Sequence, residues 1–222
     1  AKYISKEQSR KKFSVSMQHY TFAVNAFVEL VKEYGQDRYE FYYNATGTHQ
    51  ILEDVKNRIC ELGVIYLSAE NEAALGKVLE EYGLVFVPMF YARPHVFLQK
   101  DHPLAGKARV TLDPRLNFVQ GAYEAVYYAE ELFSAVPADR EIRVNDRGAV
   151  VNFMLGLNAY TISSGIFPKY LNGERIVAVP LAEQARMQIG YVLPEKQELS
   201  PLGQAYVDAM RRYALDGYRE KL

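Results

Sequence analysis

Phe13-Ser-Val-Ser-Met-Gln-His-Tyr-Thr-Phe-Ala-Val-Asn-Ala-Phe-Val-Glu-Leu-Val-Lys-Glu-Tyr34 changes its apolar period partway along. Phe13, Val15 and Met17 alternate with serines, the period-two pattern of a strand. Phe22, Ala23, Ala26, Phe27, Leu30, Val31 and Tyr34 then recur at helical spacing as one stripe, which Gly35 stops. The switch repeats downstream. Tyr39-Glu-Phe-Tyr-Tyr43 reads as a strand, Thr48 to Ile59 as a helix with Thr48 its N-cap, Leu62–Leu67 as a buried strand, and Glu72–Tyr82 as a helix closed by Gly83. Strand and helix in alternation predict an α/β domain with parallel neighbours joined by right-handed crossovers.

Outward from this unit the pattern breaks at Arg93-Pro94, between apolar strands Leu84–Phe90 and His95–Gln99. A proline cannot donate to a strand ladder, so a bend or a change of sheet is expected there. Further strands follow at Leu116–Val119, Glu141–Val144, Ala159–Ser163, Ile176–Leu181 and Met187–Leu193, with helices at Ala122–Phe133 and Arg147–Leu157. Pro201 opens a last amphipathic helix carrying Leu202, Tyr206, Met210 and Tyr213 on one face. Two α/β lobes, with the chain crossing over and returning, fit this order better than one sheet.

The chain has 222 residues, room for one large domain or two small ones. Its 49% hydrophobic and 24% charged residues exclude a disordered or collagen-like chain. The single cysteine, Cys60, excludes an internal disulfide and a cysteine metal cluster, and its apolar surroundings predict an inert buried thiol. A net charge of −1 argues against a surface built for phosphate backbones. Residues 1–12 nevertheless hold five Lys/Arg against one Glu, a basic lead-in to an acidic globule. No apolar stretch approaches the roughly 20 residues of a membrane span, so no membrane partner is expected. No Gly-x-Ser-x-Gly elbow, Walker loop, HExxH or GxGxxG occurs, so no enzyme is expected, and no metal or cofactor.

In open α/β sheets ligands bind at the carboxyl ends of strands, where helix N-termini offer backbone N–H groups. That rule selects Gln18-His19-Tyr20-Thr21, Ala45-Thr46-Gly47-Thr48, Gln120-Gly121-Ala122-Tyr123, Asn145-Asp146-Arg147 and Ser163-Ser164-Gly165. Hydroxyl, amide and imidazole groups at such points hold a carboxylate or similar anion through charge-assisted bonds. Each position also has a plainer reading. Thr48 can be a helix cap, His19 a surface residue, Gln120 and Tyr123 ordinary helix-opening residues, and Ser163 and Ser164 partners of local backbone. Arg147 stands in a helix first turn, where a cation is unfavourable, so an anionic ligand or Asp146 is its expected partner. The chain has 18 tyrosines and no tryptophan; Tyr42-Tyr43 and Tyr127-Tyr128 are assigned mainly to packing and secondarily to an aromatic-lined pocket.

Four segments in order carry a family resemblance. Asp101-His-Pro-Leu-Ala105 resembles the HPLA tag of the regulatory domains of LysR-type transcriptional regulators. Val55-Lys-Asn-Arg-Ile-Cys-Glu-Leu-Gly-Val64 is similar to that family's VxxGxLDxxI segment. Val150–Ile162 looks like its second glycine stretch, and Tyr191-Val-Leu-Pro194 with Leu199-Ser-Pro-Leu-Gly-Gln-Ala205 looks like its ending. The order holds from about Phe13 to Tyr213.

The resemblance implies an α/β, two-lobed fold like that of type 2 periplasmic binding proteins, with a ligand cleft between lobes. Lobe I would comprise residues 13–92 plus 191–222 and lobe II residues 93–190, with 1–12 the end of a linker. A small-molecule effector, an anionic or aromatic carboxylate, would sit at Gln18, His19, Tyr20, Thr46, Thr48, Gln120, Gly121, Tyr123, Arg147, Ser163 and Ser164. It would bias a cytoplasmic homodimer or homotetramer, paired through the outer face of Val24–Tyr34. Promoter DNA would be held only by an N-terminal winged helix-turn-helix domain, for which this sequence has no room before Phe13. The alternative is a transport receptor of the same fold, expected to be monomeric. Four departures stand out: Arg58 where the family has Gly, Glu61 where it has Asp, a looser Gly156-Leu-Asn158, and Gly35 where Pro is frequent.

Overall fold

The computed structural model describes residues 10–35, 38–121, 138–166, 175–182 and 186–219. Strand β1 (Lys11–Met17) leads into helix α1 (Thr21–Tyr34), followed by β2 (Tyr39–Ala45), α2 (Thr48–Lys56), β3 (Leu62–Leu67), α3 (Glu72–Tyr82) and β4 (Leu84–Ala92). The chain leaves this unit through Arg93-Pro94 to form β5 (His95–Gln99), β6 (Asn117–Gly121), β7 (Arg140–Val144), α4 (Arg147–Leu157), β8 (Thr161–Ser163) and β9 (Ile176–Pro180). It returns as β10 (Met187–Pro194) and ends in α5 (Pro201–Arg219).

The first sheet has the order β2-β1-β3-β10-β4. Strand β1 is parallel to both β2 and β3, as expected, whereas β10 runs antiparallel to β3 and β4. Helices cover both faces of this sheet. Phe13, Val15 and Met17 enter an apolar cluster with Phe22, Ala26 and Leu30 of α1 and Tyr206, Val207 and Met210 of α5. On the other face Ile51, Leu52 and Val55 of α2 pack with Leu75 and Leu79 of α3 and with Ile65. Each fully buried Leu, Ile or Phe contributes about 1.5–3 kcal/mol, so the helices on both faces hold the sheet between them.

The second sheet is β8-β5-β9, antiparallel throughout with β5 central. A parallel pair β6-β7 adjoins it through the bridge between Phe118 and Tyr160, whose rings stack at 5.0 Å. The sheet change expected at Arg93-Pro94 is present: Ala92 pairs with Met187 in one sheet, and His95 with Ser163 and Pro180 in the other.

Among the described residues the predicted elements lie within two residues of the observed ones, α2 excepted. Helix α2 stops at Lys56 rather than Ile59, because Arg58 turns left-handed (φ 57°) and the Ile59 and Cys60 N–H groups both fold back onto the Asp54 carbonyl. The strand expected at Ala159–Ser163 shortens to Thr161–Ser163, with Tyr160 supplying the bridge to Phe118. The helix expected at Ala122–Phe133, and Tyr127-Tyr128 with it, lie outside the described residues.

Candidate functional site

The parallel register of β1 and β2 places Met17 beside Ala45, so the loops that follow them emerge side by side. Thr46 N–H donates to the Met17 carbonyl at 2.9 Å, and Gln18 N–H donates to the Val64 carbonyl at 3.2 Å. These bonds fix the starts of α1 and α2 at one edge of the sheet. Gln18 is buried there, and its side chain joins both helices. Its amide nitrogen donates to the Thr48 hydroxyl oxygen, and its amide oxygen accepts the Tyr20 hydroxyl proton at 2.6 Å. Tyr20 in turn stacks on Phe22 at 5.2 Å.

The expected N-cap at Thr48 is corrected. Gly47 is the N-cap, with extended φ/ψ and no side-chain cap bond, and Thr48 is the first helical residue. Its hydroxyl turns instead toward Gln18. Helix α1 likewise starts at an N-cap, Tyr20, that makes no side-chain cap bond. Helix α4 contrasts: Asp146 caps it through Gly148 N–H at 3.0 Å, so Asp146 serves the helix backbone next to Arg147, the first residue of α4.

His19 is half-buried between the Gln18–Tyr20 positions and has its pKa lowered to about 4 by burial. Its imidazole is therefore neutral at pH 7 and offers hydrogen bonds without a charge. Thr46 is half-buried in the neighbouring loop.

Ser163 ends β8, opposite His95 on β5. Ser164 is buried, and its hydroxyl oxygen accepts the Ile166 N–H at 3.4 Å. Ile166 then enters the same apolar cluster as Tyr20 and Phe22. The serine segment thus reaches from the second sheet to the apolar cluster of the first. Gln120 is buried on β6; its amide nitrogen donates to Glu141 on β7, while its amide oxygen has no hydrogen-bond partner among the described residues. Gly121 ends β6 opposite Val144. Tyr123 lies outside the described residues.

Sequence reasoning missed a polar group beneath the site. Asp54 on α2 is buried, and its carboxylate accepts from Ser16 Oγ at 2.5 Å, Gln50 Nε2 at 2.8 Å and Asn44 Nδ2 at 3.0 Å. Three donors satisfy the carboxylate and tie α2 to β1 and β2, which holds Thr48 in place. An acidic residue between Ile51, Leu52 and Val55 on one helix was the available signal. Cys60 lies nearby, and burial pushes its thiol up to about 11. It stays protonated at neutral pH, the inert state expected of it.

Neutral amides, hydroxyls and two helix N-termini side by side suit a ligand rich in hydrogen-bond acceptors. Among the described residues no group of three or more His, Cys, Asp or Glu is placed to hold a metal ion, and no helix is long and apolar enough to cross a membrane.

The LysR substrate binding domain family model matches residues 20–215. No curated protein matches the chain. Among solved structures, the chain is similar to HinK, a LysR family transcriptional regulator from Pseudomonas aeruginosa, at 14% identity and a TM-score of 0.58, covering 95% of this chain and 72% of that one. The reduced OxyR regulatory domain from Pseudomonas aeruginosa matches at 12% identity and a TM-score of 0.63, over 91% and 98%. Oxidized OxyR from Corynebacterium glutamicum matches at 13% identity and a TM-score of 0.60, over 95% and 66%. At these identities the structural likeness concerns the two-lobed fold, and the family model carries the assignment. The chain belongs to the LysR substrate-binding domain family, the effector-binding regulatory module of LysR-type transcriptional regulators.

Proposed function

We propose that a small acceptor-bearing molecule, a carboxylate by preference, binds between the two lobes. Gln18, His19, Tyr20, Thr46 and Thr48 contact it from lobe I. Ser163, Ser164, Gln120, Gly121, Tyr123 and Arg147 contact it from lobe II. The observation that carries this reading is the bond from Gln18 to Thr48, which joins the starts of two helices through side chains able to donate. A ligand touching both lobes favours one lobe angle in proportion to its differential affinity. In a cytoplasmic homodimer or homotetramer that angle would alter how N-terminal winged helix-turn-helix domains hold a promoter. Val24 and Val28, 36% and 42% exposed on α1, support pairing through that helix. The family match favours this reading over a transport receptor.

Thermal-shift titrations with sodium benzoate, sodium acetate and sodium glutamate test the site. The expected result is a rise in midpoint for at least one carboxylate, weakened in Thr48→Val by about 1–2 kcal/mol of binding free energy. An unchanged affinity in Thr48→Val removes Thr48 from the site. Absence of any shift with every carboxylate argues for an uncharged effector.

A further inference from the structure

The chain passes between the two sheets at Ala92–His95, and His95 is buried there. Its Nδ1 donates to the Arg93 carbonyl at 2.8 Å, so the ring folds back over the crossing itself. Next to it Leu181 N–H donates to the Pro94 carbonyl at 3.2 Å, which ties the end of β9 to the same point. The serine segment closes on this crossing. Gly165 has φ 73°, and a Cβ built on it would stand 2.0 Å from His95 Nδ1. Only a residue without a side chain lets the backbone lie against that ring. One residue later Ile166, 3% exposed, enters the first sheet's apolar cluster together with Ala92 and Met187, the two residues at which the chain leaves and rejoins that sheet.

We infer that Ser163–Ile166 is a clasp across the crossing between the lobes, and that the contact of Gly165 with His95 sets the angle between them. Ser163 belongs to β8, Gly165 rests on the crossing, and Ile166 is held by the other lobe, so a displacement of the serines is passed to the crossing within three residues. His95 and Gly165 are positioning residues: they need not touch an effector. The regulatory meaning of the clasp rests on the proposal that Ser163 and Ser164 contact the effector; its control of the lobe angle does not.

The test uses spin labels on exposed positions of the two lobes, introduced as Lys77→Cys on α3 and Lys107→Cys beyond β5, with distances read by pulsed electron spin resonance. Cys60 is buried and stays unlabelled. Gly165→Ala is expected to shift the mean label separation, and His95→Ala added to it is expected to bring the separation back by removing the ring that the new methyl meets. A folded Gly165→Ala protein with unchanged separation overturns the inference. So does a shift that persists in the double variant, since strain at the left-handed backbone would then be the cause. Where Gly165→Ala does not fold, His95→Ala alone decides: a broadened distribution supports the clasp and an unchanged one overturns it. No effector is needed for this measurement, and Thr48→Val tests the binding reading separately, so the two fail independently.

Discussion

The Glu61 carboxylate holds Ser200 at the start of α5: one oxygen accepts the Ser200 N–H and the other the Ser200 hydroxyl proton, both at 2.8 Å. Ser200 Oγ in turn accepts the Gly203 N–H at 3.1 Å, the usual service of an N-cap. The turn before β3 therefore caps the helix that packs against α1. A Cβ on Gly203 would lie 2.2 Å from Glu61 Oε1, so the glycine makes the room that the longer acidic side chain occupies. The family pattern has Asp at this position, one methylene shorter. Glu61→Ala should cost about 1–2 kcal/mol, the scale of a lost cap, in urea unfolding, with Glu61→Asp in between. A loss in Gly203→Ala that vanishes in the Glu61→Ala background would show that the two share one space.

Asn25 on α1 is 1% exposed, and neither its amide nitrogen nor its amide oxygen makes a hydrogen bond among the described residues. An unsatisfied buried polar group costs about 1–3 kcal/mol. Asn25→Leu keeps the branching and heavy-atom count and removes both polar atoms, so it should raise stability by about 1 kcal/mol in the same assay. A loss of that size instead would reveal a buried water bonded to the amide.

The first sheet was legible because β1 to α3 write their periods plainly, and Arg93-Pro94 marked the change of sheet. Strand β10 was legible as a strand but not as a neighbour of β3: its run Met187–Leu193 puts Met187, Ile189, Tyr191 and Leu193 on one face, and such a pattern does not name its partner. At the candidate site, the proximity of Gln18, Tyr20 and Thr48 followed from the parallel strand ends. Their bonding did not follow, because Thr48 after Gly47 reads as a cap whichever way its hydroxyl turns. His95 escaped notice for a different reason: its partner Gly165 is 70 residues away in sequence, and only the β5–β8 pairing brings them together.

Arg58 occupies the family's glycine position with φ 57°, a backbone that costs a side-chain-bearing residue about 1–2 kcal/mol. Its guanidinium donates to Gln197 Oε1 at 2.8 Å on the surface, a bond that offsets part of that strain. Arg58→Gly relieves the strain, loses the bond and adds about 0.5–1 kcal/mol of unfolded-state freedom, so its stability should stay within about 1 kcal/mol of the parent. Arg58→Val keeps the strain and crowds the backbone further, and should lose about 2 kcal/mol or more. Equal midpoints for the two variants in urea would mean that the turn relaxes out of the left-handed region.

Two histidines make stability depend on pH in one direction. Burial lowers His19 from 6.5 to about 4, and burial also lowers His102, whose Nδ1 accepts the Leu104 N–H at 3.1 Å in the His-Pro-Leu-Ala turn. Both rings are neutral in the native protein at pH 7, whereas in the unfolded chain they take up protons near 6.5. As pH falls from 6.5 toward 4 the unfolded state binds more protons than the native one, so stability declines through that window and is flat above it. Urea midpoints measured at intervals between pH 7.5 and 5 should show this fall, reduced in His19→Asn and reduced again when His102→Asn is added. For the binding site the same ring state predicts that carboxylate affinity loses no His19 charge contribution between pH 8 and 6.5, because none is present. A steep rise in affinity as pH drops from 8 to 6.5, abolished by His19→Asn, would instead place a protonated imidazole against the ligand.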